Sequence, residues 1–176
     1  MFYSVYASNP EAFAAILECH VPLGSCIADV TYGKGVFWKQ VPAGRYTLWA
    51  SDLLTGGDCR TLPYPDQSVD AVVLDPPFRQ GRGGNKGYTR FNVNYGKTLG
   101  TMRNVLDLYI KAAREAYRVL KPRGLLIVKC QDQVQWTKQW WMMLLIVRAL
   151  ERRFYLEDMV IVVRPQKPSL PPNITH

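Results

Sequence analysis

Apolar residues are spaced along this 176-residue chain in two ways, and each predicts a different element. Nearly continuous apolar runs occur at 25–31 (SCIADVT), 68–75 (SVDAVVLD) and 124–130 (GLLIVKC), while 45–52 (RYTLWASD) alternates and ends in an acid. Runs of this length suit buried strands, and continuous ones suit parallel strands covered on both faces. Between them, 102–120 carries apolar residues at 105, 106, 109, 113, 116, 117 and 120, which is helical spacing, and KPRG then stops the helix. At 9–20 (NPEAFAAILECH), Asn9 suits an N-cap, Pro10 the first helical position and Glu11 the first turn. The spacing predicts a further helix over 135–154 and a last strand over 155–165. Strands alternating with helices predict an open, mostly parallel α/β sheet. The expectation is one domain over 1–165 followed by a proline-rich tail at 166–176.

Composition narrows the class. The longest apolar run, WWMMLLIV, has eight residues, far short of the roughly 18 that span a bilayer. The N-terminus lacks the basic and apolar regions of a signal peptide. A cytoplasmic protein with no membrane partner is therefore expected. Four cysteines form no CxxC pair and are joined by only two histidines, so no metal site is predicted and the thiols are expected to be reduced. A formal charge of +8 favours a polyanionic partner, although a basic surface also serves solubility alone.

Ligands of open α/β sheets sit outside the carboxyl ends of the strands, so the strand ends carry the candidate chemistry. In ADVTYGKGVFW (28–38), Gly33 and Gly35 allow a tight turn and close approach to a ligand; the GxxxxGK[ST] phosphate-loop spacing is absent. Asp52 ends the next strand, where an acid either accepts from a ribose diol or serves a turn. GDCRT adds Asp58, expected at the end of a short strand, and the Cys59 backbone N–H: an adenine-facing pair or a solvated turn. Asp75, Pro76, Pro77 and Phe78 close the third strand. Neither proline can donate a ladder hydrogen bond, so the strand must stop there. Residues 79–103 then interleave Arg79, Arg82, Lys86 and Arg90 with Tyr88 and other aromatics and contain no acid. That mixture suits a phosphate-following, base-stacking segment, or else a solvated loop.

In that order, ADVTYGKGVFW, SD, GDCRTLPY, VVLDPPF and RVLKPRGLLIVK resemble the class I S-adenosylmethionine-dependent methyltransferases over about residues 25 to 165. DPPF is similar to the (D/N/S)PP(Y/F/W) motif of enzymes that methylate exocyclic amino groups of nucleobases. The resemblance implies a Rossmann-like fold and S-adenosylmethionine held by Asp29, Thr31, Gly33, Gly35, Asp52, Asp58 and Cys59. It also implies a DNA substrate, adenine N6 ahead of cytosine N4, with an RNA base amine or a non-catalytic nucleic-acid-binding module as alternatives. The amine's lone pair is delocalised into the base, so acceptors are needed to localise it. The motif's Asp75 carboxylate and the Pro76 carbonyl, held by Pro77, would accept its N–H bonds, and Phe78 would stack on an extruded base. Arg79, Arg82, Lys86, Tyr88 and Arg90 would contact nucleic acid. Two departures stand out. Tyr32 precedes the first glycine of the turn, and residues 166–176 are too short and proline-rich to supply the family's closing antiparallel strand, which is expected to be incomplete. Without a separate recognition domain, target choice would fall to the basic loop, to a homodimer or to a partner chain.

Overall fold

The computed structural model describes residues 4–76, 101–135 and 137–163. Pro77, Phe78, Arg79, Arg82, Lys86, Tyr88, Arg90 and the tail at 166–176 lie outside the described residues. In chain order the elements are β1 (Val5–Tyr6), α1 (Asn9–His20), β2 (Cys26–Asp29), β3 (Thr47–Ala50), β4 (Val69–Leu74), α2 (Met102–Val119), β5 (Leu120–Val128), β6 (Gln133–Gln135), β7 (Lys138–Trp140), α3 (Met142–Leu150) and β8 (Ile161–Val162).

The chain is a mixed α/β structure around a parallel central sheet of order β3-β2-β4-β5 among the described residues. Ala28 sits opposite both Trp49 and Val72, and Val72 in turn opposite Leu126. From β2 the chain steps outward to β3, then returns to the other side of β2 with β4. The winding direction therefore switches between β2 and β4, the place where doubly wound sheets open a ligand crevice.

Strand alternation decides the two covering layers. Ile27, Ala71 and Val73 point to the layer of α1, where they pack with Phe13, Leu17 and Val21. Their neighbours Ala28, Val72 and Leu74 point to the opposite layer, against Val105, Tyr109 and Ala116 of α2 and Met142 and Ile146 of α3. All of these sheet residues are at most 1% exposed, so each larger side chain contributes roughly 1.5–3 kcal/mol of burial. Polar residues on the same strands (Asp70 of β4, Lys129 just beyond β5) lie at or past strand ends or pair with other charges.

Several expectations need correcting. The N-cap of α1 is Ser8, whose hydroxyl accepts from the Glu11 N–H at 3.4 Å, and Asn9 is already helical. KPRG belongs to β5, where the register against β4 shifts between Val69 and Ala71 and Arg123 adopts φ +67°. Among the described residues of the expected 135–154 helix, only Met142–Leu150 is helical; β6 and β7 form an antiparallel hairpin before it. The polar QVQ and KQ stretches offer no apolar stripe to bury, and Asp132 accepts the Met143 N–H at 3.1 Å, fixing where the helix starts. Among the described residues, the expected strand over 155–165 reduces to β8, which pairs in parallel with β1 and not with the central sheet. Asp58 ends no strand; it makes an isolated bridge to Thr61.

Candidate active site

The β2–β4 switch point gathers the ends of both strands. Asp29, the last residue of β2, is 2% exposed and lies beneath the following turn. Its two oxygens accept from the Thr31 N–H at 3.1 Å and the Trp38 indole N–H at 2.8 Å. Burial pushes its carboxyl up to about 6; the Trp38 and Thr31 hydrogen bonds oppose the shift, and the nearby carboxylates of Asp75 and Asp52 add to it. Asp29 thus supports the turn from below and does not face solvent.

The turn needs its glycines. Gly33 and Gly35 have φ of +55° and +63°, values that L side chains rarely adopt. A Cβ on Gly35 would lie 2.5 Å from the Tyr32 hydroxyl oxygen, so the departure at Tyr32 is accommodated by a glycine directly beneath its ring. Around Gly33 a Cβ would meet nothing closer than 3.9 Å, which leaves its surface open. The Gly33 N–H donates to the Asp52 carboxylate at 3.2 Å, tying the turn to the end of β3.

Asp75, immediately after β4, joins this cluster through its backbone: its N–H donates to the Thr31 hydroxyl at 2.7 Å. Its carboxylate accepts from Lys129 Nζ at 3.2 and 3.1 Å. Pro76 is fully buried, anchoring the backbone beyond Asp75. Lys129, which follows β5, escaped the sequence reading, as did the indole bond from Trp38. The available signal for Lys129 was a cation ending an apolar strand, in GLLIVKC.

The loop of Asp58 and Cys59 is arranged differently from expectation. Arg60 occupies both oxygens of Asp58, at 2.9, 3.0 and 2.6 Å, and this pairing holds its carboxyl below the usual range. The Cys59 side chain is 2% exposed within the core, where burial pushes its thiol up to about 12, leaving only its backbone for a ligand.

The donor set fits S-adenosylmethionine, the cofactor that the motifs imply. Asp52 and Asp75 lie near enough to the buried Asp29 to interact with it, so carboxylates cluster at the strand ends beside the glycine turn, where a cationic ligand would be favoured. The buried Ser51 hydroxyl beside Asp52 finds no partner among the described residues. Among the same residues no metal-ligand cluster occurs, and no helix is long and apolar enough to cross a membrane.

No family model matches the chain. It is 36% identical over 77 residues to the type II methyltransferase M.BamHI of Bacillus amyloliquefaciens, a match covering 43% of this chain and 16% of that protein. A methyltransferase relationship follows over that stretch. Among solved structures, it resembles a protein assigned as a methyltransferase from an antibiotic biosynthesis pathway of Anabaena variabilis ATCC 29413 (TM-score 0.44, 17% identity, 72% of this chain and 49% of that one). It also resembles the 4+2 cyclase SpnF (TM-score 0.39, 19% identity, 68% and 44%). At these scores the structural likeness is loose.

Proposed function

We propose that the protein transfers a methyl group from S-adenosylmethionine to an exocyclic amino group of a DNA base, adenine N6 ahead of cytosine N4. One observation carries the reading. The backbone of Asp75, the first residue of DPPF, is hydrogen-bonded to Thr31 of the glycine turn, so the amine acceptor and the cofactor turn form one unit. Methyltransferase kinship over 77 residues supports the same chemistry.

When bound, the cofactor supplies an electrophilic methyl group on sulfur. The protein's part is orientation and charge. Gly33 and Gly35 would let the turn lie against the cofactor, Asp52 would accept from its ribose diol, and the Asp58–Cys59 loop would border its adenine ring. Asp75 accepts an N–H of the substrate amine, which localises the nitrogen lone pair, and the proton released on methylation passes from there to solvent. Pro77 and Phe78 are assigned to rigidity and base stacking, and Arg79, Arg82, Lys86, Tyr88 and Arg90 to the nucleic acid. That basic segment, a homodimer or a partner chain would contribute to target choice.

The test is mass spectrometry of nucleosides from DNA and from RNA incubated with the full chain and S-adenosylmethionine. N6-methyladenine in DNA is expected. Methylated nucleosides in RNA alone would reverse the substrate, and none in either would remove the reading.

A further inference from the structure

We infer that Lys129 is a positioning residue that fixes the carboxylate of Asp75 for amine recognition, an inference that rests on the proposed amine methylation. Its backbone is pinned on two sides. The Lys129 N–H donates to the Leu74 carbonyl at 2.9 Å, and its own carbonyl accepts the Tyr109 hydroxyl at 2.8 Å. Tyr109 is 1% exposed in α2, so this anchor belongs to the rigid core.

From that base the ammonium reaches both oxygens of Asp75, at 3.2 and 3.1 Å. It also lies 5.4 Å from the centroid of the Phe37 ring, which belongs to the short helical turn Phe37–Gln40 after the glycine loop. The ammonium therefore sits among three parts of the site: the end of β4, the end of β5 and the segment following the cofactor turn. Both partners are about a quarter exposed, so the pair is neither buried in the core nor freely solvated.

Geometry gives the role. A carboxylate on a single carbon rotates freely unless something fixes its plane, and a bridging ammonium does so. Each carboxylate oxygen has two lone-pair sites, so accepting from Lys129 leaves capacity for a substrate N–H. A base stacked over the site would displace water from Asp75. A retained cation partner offsets that loss and keeps the group an acceptor. Lys129 touches neither the methyl group nor the amine in this scheme; it acts through Asp75.

The experiment compares the full chain with Lys129→Met and Lys129→Arg. In Lys129→Met, kcat should fall about 10- to 100-fold, the range for a misaligned reacting group. The Kd for S-adenosylhomocysteine and the melting temperature should stay near wild type. Lys129→Arg, which keeps the charge and offers a fork to the carboxylate, should recover most of kcat. The carboxyl 13C resonance of Asp75, assigned by its loss in Asp75→Asn, should shift in Lys129→Met and move back in Lys129→Arg. An unchanged resonance in Lys129→Met overturns the inference whatever the activity, and so does wild-type kcat in Lys129→Met. A wild-type chain that methylates nothing while the resonance still responds would leave the pairing supported and remove the methylation reading instead.

Discussion

The Trp38 indole N–H donates to Asp29 at 2.8 Å and holds a buried carboxylate under the glycine turn. Burial raises that carboxyl to about 6 in the folded chain, above its ordinary value of 3.8. The folded state therefore binds a proton that the unfolded state has lost, and this contribution is complete below pH 4 and disappears as the pH rises through 6. Asp58 and Glu115, whose carboxyls are held low by Arg60 and Arg118, act in the opposite sense, at lower pH. Asp29→Asn should flatten the decline in stability between pH 4 and pH 6.5, a change on the order of 2–3 kcal/mol at most. Urea titrations across that range measure it; an equal decline in both proteins would refute the assignment.

Asp75→Asn should reduce turnover by about 10²–10³ while cofactor-product affinity remains near wild type. The substitution keeps shape and the backbone bond to Thr31, but replaces an oxygen that accepts N–H bonds with an amide that donates. Single-turnover kinetics beside calorimetric titration with S-adenosylhomocysteine separate the two effects. Undiminished turnover would deny Asp75 the role of amine acceptor.

Gly35→Ala should weaken S-adenosylhomocysteine binding and destabilise the fold by more than Gly44→Ala does. Both positions have positive φ, +63° and +76°, which costs a non-glycine residue about 1 kcal/mol or more. At Gly44 the added methyl meets nothing within 4 Å, whereas at Gly35 it meets the Tyr32 ring at 2.7 Å. The difference between the two variants therefore reports the displaced tyrosine. Equal melting temperatures would show that Tyr32 moves aside without consequence.

Arg118→Met should destabilise the chain by about 2 kcal/mol and loosen the loop that carries Asp58. Arg118 donates to the carbonyls of Leu62 and Tyr64 and to Glu115 and Asp66, while Glu115 accepts the Leu62 N–H at 2.8 Å. One guanidinium thus fastens the loop to α2. Arg118→Lys should recover less than half of the loss, since a single ammonium cannot reproduce the fork. Denaturant midpoints together with amide exchange at residues 58–66 check both statements.

What the sequence determined by itself was the layered α/β plan and where its central strands stop. Ile27, Val72, Val73 and Leu74 stand in runs too apolar for anything but a strand covered on both sides, and α2 carries its stripe openly. Gly33, Gly35, Asp52 and Asp75 were legible because turns and strand stops impose residue types locally. Tertiary structure alone decided the rest. The 135–154 segment reads as helix by spacing, yet it opens with a hairpin strand ending at Trp140, because Asp132, ten residues before α3, accepts the Met143 N–H and sets where the helix starts. The β8 strand turned to β1 and left the central sheet, a choice between distant partners that no local pattern encodes. The same reason explains Lys129 and Trp38. Their side chains reach partners 54 and nine residues away, and only the packed fold brings a cation to Asp75 and an indole to Asp29.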